Sequence, residues 1–308
     1  MSWCGGSGLR NSLVSITRVI TDTPITEYVV NMPRGMYRHK PGLNPSSLAA
    51  GLMDGGEVDP RAIRDAYEGV DKTRSAAAQD RMDRGTLAHL ALLQPERLAS
   101  DVAVWSGDTR RGAVWDAFQA ENIGKLIIRS DDYANVMETV NAMRSQPIVS
   151  ALLCDIVPEV AMFTRIESHG LTLQGRGQVD AVNFADKVIV DIKTTEAGID
   201  QRSCERTIRD LHYREKMAFY RNSLAELTGT DPEQWRCWNL FLSLGDRVGI
   251  RAMKFATDAM EFGTYRMNAA IDATASCLAT GKWPMFAKSD IMSVAPWEMP
   301  DEEPVEYD

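Results

Sequence analysis

The chain has 308 residues, 44% hydrophobic and 25% charged, a globular balance with room for one large domain or two ordinary ones. No apolar run approaches the roughly 20 residues of a membrane helix, which excludes a membrane-spanning helix, and residues 1–20 lack the apolar stretch of a secretory leader. A net charge of -9 argues against coating nucleic acid through bulk charge, while leaving room for a locally basic groove.

In chain order, residues 1–43 are rich in Gly, Pro and Thr and predict an irregular or partly extended segment. Asn44-Pro45-Ser46-Ser47 has the form of a capped helix start. Residues 77–93 carry Met82, Leu87, Leu90 and Leu93 at helical spacing, closed by Pro95. Residues 112–122 and 131–153 also predict helices, the second with an apolar stripe of Val136, Val140, Met143 and Ile148. The pattern then changes to period two or to short apolar runs. Residues 160–166, 171–182 and 187–193 predict three consecutive strands, with turns at His169-Gly170 and Ala185-Asp186. A long helix over 203–227, strands over 238–244 and 248–255, and a final helix over 257–280 follow. The expected fold is α/β, a central mixed sheet flanked by helices, opened by an antiparallel meander. The expected divisions are a helical part over 44–155, a core over 156–297, and an acidic, disordered tail over 298–308. The five cysteines (Cys4, Cys154, Cys204, Cys237, Cys277) form no C-x-x-C pair. That disfavours zinc ribbons and disulfide frameworks and suits a reducing cytoplasm.

The chemistry concentrates at Gly175-Arg-Gly-Gln-Val-Asp180 and Asp191-Ile192-Lys193-Thr194-Thr195. In a strand, residues two apart share a face, so Asp191 and Lys193 point the same way. A charged pair at the end of the apolar run KVIV is costly unless something compensates it. A hairpin turn at Ala185-Asp186 would return Asp180 toward Asp191. Two carboxylates beside a lysine suit a hard cation such as Mg²⁺, with the lysine orienting a water or neutralising a phosphate. Taken alone, the D-x-K triplet serves equally well as an ion pair on the rim.

With Pro158-Glu159 ahead of them, these residues resemble the PD-(D/E)XK nuclease core. The rest of the chain, over 44–297, resembles the exonuclease VIII (RecE-like) group of phage recombination exonucleases. Gly85-Thr86-Leu87-Ala88-His89 followed by Leu93-Gln94-Pro95-Glu96 matches that group's G-T-x-x-H helix. Trp115, Phe118, Ile127, Met143 and Pro147 match the segment between. Lys216-Met217-Ala218-Phe219-Tyr220 matches its Q-x-A-F-Y helix, with lysine in place of glutamine, and Trp283-Pro284 its C-terminal W-P.

The resemblance implies a PD-(D/E)XK fold and Mg²⁺-dependent 5′→3′ digestion of double-stranded DNA from its ends, with Mn²⁺ able to substitute. The product would be a 3′ overhang for a single-strand annealing protein in homologous recombination, made by a ring of three or four copies. It implies that His89, Asp180, Asp191 and the backbone carbonyl of Ile192 ligate metal, two ions per site. Glu159, with Glu167 as a competing acid, would serve the second ion or hold a water. Lys193 would position the nucleophile, and Tyr220 completes the catalytic set. A lone helix histidine is otherwise more often a packed or capping residue.

For DNA, Arg202, Arg206, Arg209, Tyr213, Lys216 and Tyr220 share one face of an unbroken helix, or a solvated face partnered by Glu205, Asp210 and Glu215. Arg110 and Arg111 form a second basic spot, tied by the resemblance to a 5′ phosphate. Thr194 and Thr195 offer hydroxyls to phosphate. Trp105 and Trp115 are expected in packing rather than as a wedge in the duplex. The rival readings are a structure-selective endonuclease of the same superfamily, or a nuclease-like DNA-binding or assembly module with weak or no catalysis.

Overall fold

In a computed structural model, which describes residues 15–32, 34–69, 75–195, 198–244 and 248–285, regular elements follow one another closely. They are β1 (Glu27–Val29), α1 (Arg34–His39), α2 (Pro45–Ala49), α3 (Pro60–Glu68), α4 (Ala76–Leu93), α5 (Leu98–Asp101), β2 (Val102–Trp105), α6 (Ala113–Glu121), β3 (Leu126–Arg129), α7 (Ser130–Arg144) and α8 (Pro147–Leu152). The second half holds β4 (Val157–Ser168), β5 (Leu171–Asn183), β6 (Val188–Thr195), α9 (Gln201–Asp210), α10 (Tyr213–Thr228), β7 (Arg236–Ser243), β8 (Gly249–Lys254) and α11 (Thr257–Thr280).

Six strands pair in the order β1-β4-β5-β6-β7-β8. All neighbours are antiparallel except β6 and β7, which run parallel across the α9–α10 crossover. This is the expected mixed sheet with its opening meander. His169 (φ 52) and Gly170 (φ 72) form a two-residue turn with both residues left-handed, matched to strand twist. At the next turn, the Asp186 backbone N–H donates to the Asn183 side chain at 2.8 Å.

Both sheet faces are covered, so the strands read as apolar runs. Val190, Ile192, Leu240 and Leu242 pack against Leu87 and Ala91 of α4 and Val140 and Met143 of α7. On the other face Val160, Met162, Val179, Ile189 and Cys237 pack against Met217 and Leu224 of α10.

Four features depart from the sequence reading. Residues 1–43 are expected to be irregular or partly extended; among the described ones β1 forms the sheet edge, and the burial of Ile16, Val19 and Leu43 is not foreseen. Leu43 exchanges backbone hydrogen bonds with Gln174 (2.7 Å) and Arg176 (2.9 Å), long-range pairing that leaves no local periodicity to read. The 131–153 helix is two, α7 and α8, because Pro147 starts a new first turn. The 203–227 helix is also two. His212 adopts φ 54, a left-handed break marked by neither Gly nor Pro, so the single basic face from Arg202 to Tyr220 is not formed. Finally, β2 and β3 make a small parallel sheet that was not expected. Trp105 is buried there, edge-on to Trp115 at 5.1 Å and against Phe118 at 5.0 Å, as a packing residue. The 298–308 tail lies outside the described residues.

Candidate active site

The ladder between β5 and β6 ends at Ala181↔Val190. One further step in the same register sets Asp180 opposite Asp191. There the Ile192 N–H donates to Asp180 Oδ2 at 2.6 Å, so a carboxylate takes the place of a ladder carbonyl. The Lys193 ammonium pairs with Asp191 Oδ2. β7 brings Asn239 level with Asp191, and its amide donates to Asp191 Oδ2 at 3.2 Å. From the other face, α4 brings His89 Nδ1 to 3.5 Å from Asp180 Oδ1.

Two glycines permit this convergence. A Cβ on Gly85 would stand 2.8 Å from Thr194 Oγ1, so any side chain there would press on Thr194 or move α4 away from β6. A Cβ on Gly177 would stand 3.1 Å from the Tyr220 ring, which lies against β5.

Glu159 falls opposite Asp180, between the pairs Pro158↔Ala181 and Val160↔Val179. Its φ of 50 is left-handed, a conformation that costs roughly 1–3 kcal/mol in a non-glycine residue and clusters at functional sites. The competing acid, Glu167, is exposed and bonded to Arg165 and Thr172, away from the site.

These groups line a cleft of about 910 Å³ that takes in His89, Glu159, Asp180, Asp191, Lys193 and Tyr220. Thr194, Tyr213 and Ile192 line it too, and Arg38, Arg97, Lys125 and Arg176 add positive charge to its walls. The Lys193 and Lys216 ammoniums lie 4.8 and 5.2 Å from the centre of one Tyr213 ring, a shared cation–π contact.

Burial and charge oppose one another throughout. Burial would raise the Asp180 carboxyl, but His89, Lys193 and the Ile192 N–H outweigh it and hold it down at about 2. Burial dominates at Asp191 and pushes its carboxyl up despite Lys193. Burial would lower His89, yet the Asp180 charge and hydrogen bond raise it. Lys193 is likewise raised against its burial by Asp191 and Asp180, which keeps it charged. Lys216 is pushed down, by burial first and then by the Lys193 charge.

The donor set, carboxylates plus one imidazole, suits a hard divalent cation. Among the described residues, no three His, Cys, Asp or Glu side chains already surround one point. Asp191 Oδ2 is held by Lys193 and Asn239, so a cation would be met through Oδ1.

The structure thus brings His89, Glu159, Asp180, Asp191, Ile192, Lys193, Thr194, Tyr213 and Tyr220 together, with Lys216 beside them. Thr195 lies further along β6 and does not line the cleft. Arg110 donates to Asp80 at 2.7 Å and sits over Trp115, Arg111 is exposed, and Arg209 pairs with Asp210 in solvent. None of these three reaches the cleft wall. The sequence reading passed over Arg176, whose guanidinium donates to the backbone of Gly42 and Tyr37, and Asn239, a polar residue within an apolar strand. A lone amide in WNLFLSL is itself a signal that a buried partner exists.

A sheet that delivers opposed acids and a lysine from adjacent strands defines the PD-(D/E)XK nuclease fold. Residues 65–291 match the PDDEXK-like domain of unknown function DUF3799, and the chain belongs to that family. A candidate exonuclease from Eubacterium rectale shares the fold, with a TM-score of 0.55 at 11% identity over 82% of this chain and 88% of that one. A phage-related exonuclease from Haemophilus somnus aligns at a TM-score of 0.31 and 11% identity, over 78% of this chain and 96% of that one, too low to carry an argument. No curated protein matches the chain. Among the described residues, no helix is long and apolar enough to cross a membrane.

Proposed function

We propose that this chain is a Mg²⁺-dependent, RecE-like exodeoxyribonuclease that degrades double-stranded DNA 5′→3′ from its ends. The 3′ overhangs would pass to a single-strand annealing protein, and the working form would be a cytoplasmic ring of three or four copies. The observation that carries the chemistry is the opposition of Asp180 and Asp191 beside Lys193 in one cleft.

His89 Nδ1, one oxygen each of Asp180 and Asp191, and the Ile192 carbonyl would hold the cation, with Glu159 beside them. When bound, the cation supplies a polarised phosphate and an acidified water. In the cation-free protein Asp191 and Asp180 keep Lys193 protonated, which suits an ammonium that orients the nucleophile or holds a phosphate oxygen. The facing acids repel DNA phosphate until their charge is neutralised, so cleavage should depend almost wholly on added cation. Tyr213 and Tyr220 offer ring faces and hydroxyls to the strand entering the cleft.

The test is digestion of end-labelled linear duplex with and without Mg²⁺, beside Asp191→Ala and Lys193→Ala. Activity surviving both substitutions removes the site. Equal cutting of circular DNA favours an endonuclease. DNA binding without cleavage favours a nuclease-like module. Light scattering in solution that gives one chain per particle removes the ring.

A further inference from the structure

Asn239 is fully buried, at 0% exposure, on β7, a strand paired on both sides. A buried amide is costly unless it is bonded, and the bonds this one makes are specific. Its Nδ2 donates to Asp191 Oδ2 at 3.2 Å and to the Asp191 backbone carbonyl at 3.4 Å. Its own Oδ1 is buried without a donor among the described residues. A flipped amide would set an acceptor against a carboxylate, so the orientation follows from the chemistry of the partner.

The Lys193 ammonium contacts the same oxygen, Asp191 Oδ2. Among the described residues no hydrogen bond or ion pair reaches Asp191 Oδ1. Asp180 repeats the division, its Oδ2 taken by the Ile192 N–H and its Oδ1 facing His89. Each acid therefore has its Oδ2 held by the sheet, while Asp180 Oδ1 meets His89, itself a candidate ligand. The Asp χ2 torsion is broad, so a single flexible lysine would let the carboxylate turn. An amide fixed on a core strand would not.

We infer that Asn239 is a positioning residue, which fixes the Asp191 carboxylate so that Oδ1 is the oxygen presented to a divalent cation. This assignment rests on the nuclease reading above.

The experiment measures Mn²⁺ binding by calorimetry and cleavage of end-labelled duplex, using the full chain, Asn239→Leu and Asn239→Ser. Leucine keeps the branched shape, with slightly more bulk, and removes the donor. Serine leaves room for a water to take over the donation. Asn239→Leu is expected to bind Mn²⁺ roughly 10–100-fold more weakly, with a matching fall in kcat and a DNA KM within about twofold of the parent. Asn239→Ser is expected to fall between the two. A folded Asn239→Leu with parental Mn²⁺ affinity and kcat overturns the assignment and leaves the nuclease reading standing. If leucine does not fold, parental Mn²⁺ affinity in Asn239→Ser overturns it equally. A parent chain that neither binds Mn²⁺ nor cuts DNA overturns the nuclease reading and this assignment together.

Discussion

The cleft end of β6 and the helix α9 are both dense in charge, and the structure treats them in opposite ways. At β6 the charges are buried and committed to one another, Asp180 to His89 and Ile192, Asp191 to Lys193 and Asn239. On α9 the arginines face solvent beside their own acids, as Arg209 does beside Asp210. Exposed pairs of that kind contribute little, while buried charges are tolerated only when every neighbour is arranged around them. Density of charge in the sequence therefore says less than where a backbone register delivers it.

The contrast is open to direct attack. The strongest blow falls on Asp191→Asn, expected to cut DNA cleavage at least about a thousandfold and also to lower the melting temperature, since it leaves the buried Lys193 ammonium without its carboxylate. Calorimetric melting beside an end-labelled assay reads both. Next, Lys193→Met should lower kcat by roughly 10²–10³-fold. A loss confined to KM would reassign the ammonium to binding alone.

Asp180 tests the buried side through pH. Its carboxyl is held near 2, below its ordinary 3.8, so the stabilisation is present above the ordinary value and drains away as pH falls through the lowered one. Cation-free protein should lose roughly 2 kcal/mol between pH 5 and pH 2 that Asp180→Asn does not lose, read from urea midpoints. His89 has the opposite sign. Its raised pKa gives stability present below about 6.5, the ordinary histidine value, and lost as pH rises past the folded one.

A smaller effect is expected for Gly85→Ala. The new Cβ presses on Thr194, shifting α4 and His89 by a few tenths of an ångström, enough for about a tenfold loss of kcat. The least is expected of Arg209→Ala, which should change DNA KM by under about twofold and leave the salt slope unaltered. A slope shallower by about one would show that α9 does touch phosphate and would erase the contrast.

Much of this was legible. The alternation in LTLQGRGQVDAV and the apolar KVIV gave β5 and β6, and the turn between them followed from Ala185-Asp186. Because strand pairing is local there, Asp180 meeting Asp191 could be read as well. His89 was reachable only through resemblance, since α4 meets β5 across a long stretch of chain and no periodicity encodes that contact. The break at His212 was hidden because it is made by a left-handed histidine and not by Gly or Pro. Residues 15–43 were missed for a related reason. Their order comes from long-range contacts, β1 with β4, Leu43 with Gln174 and Arg176, and the burial of Ile16, Val19 and Leu43, none of which leaves a local period.

The lone parallel pair, β6 with β7, sets an order of assembly. Hairpins β4–β5 and β5–β6 close over short loops, whereas the β6–β7 pair spans the longer α9–α10 crossover and is expected to form later. During refolding, Asp180 and Asp191 should therefore meet before Asn239 arrives, and nuclease competence should emerge as the last kinetic phase, behind most of the recovered helix signal.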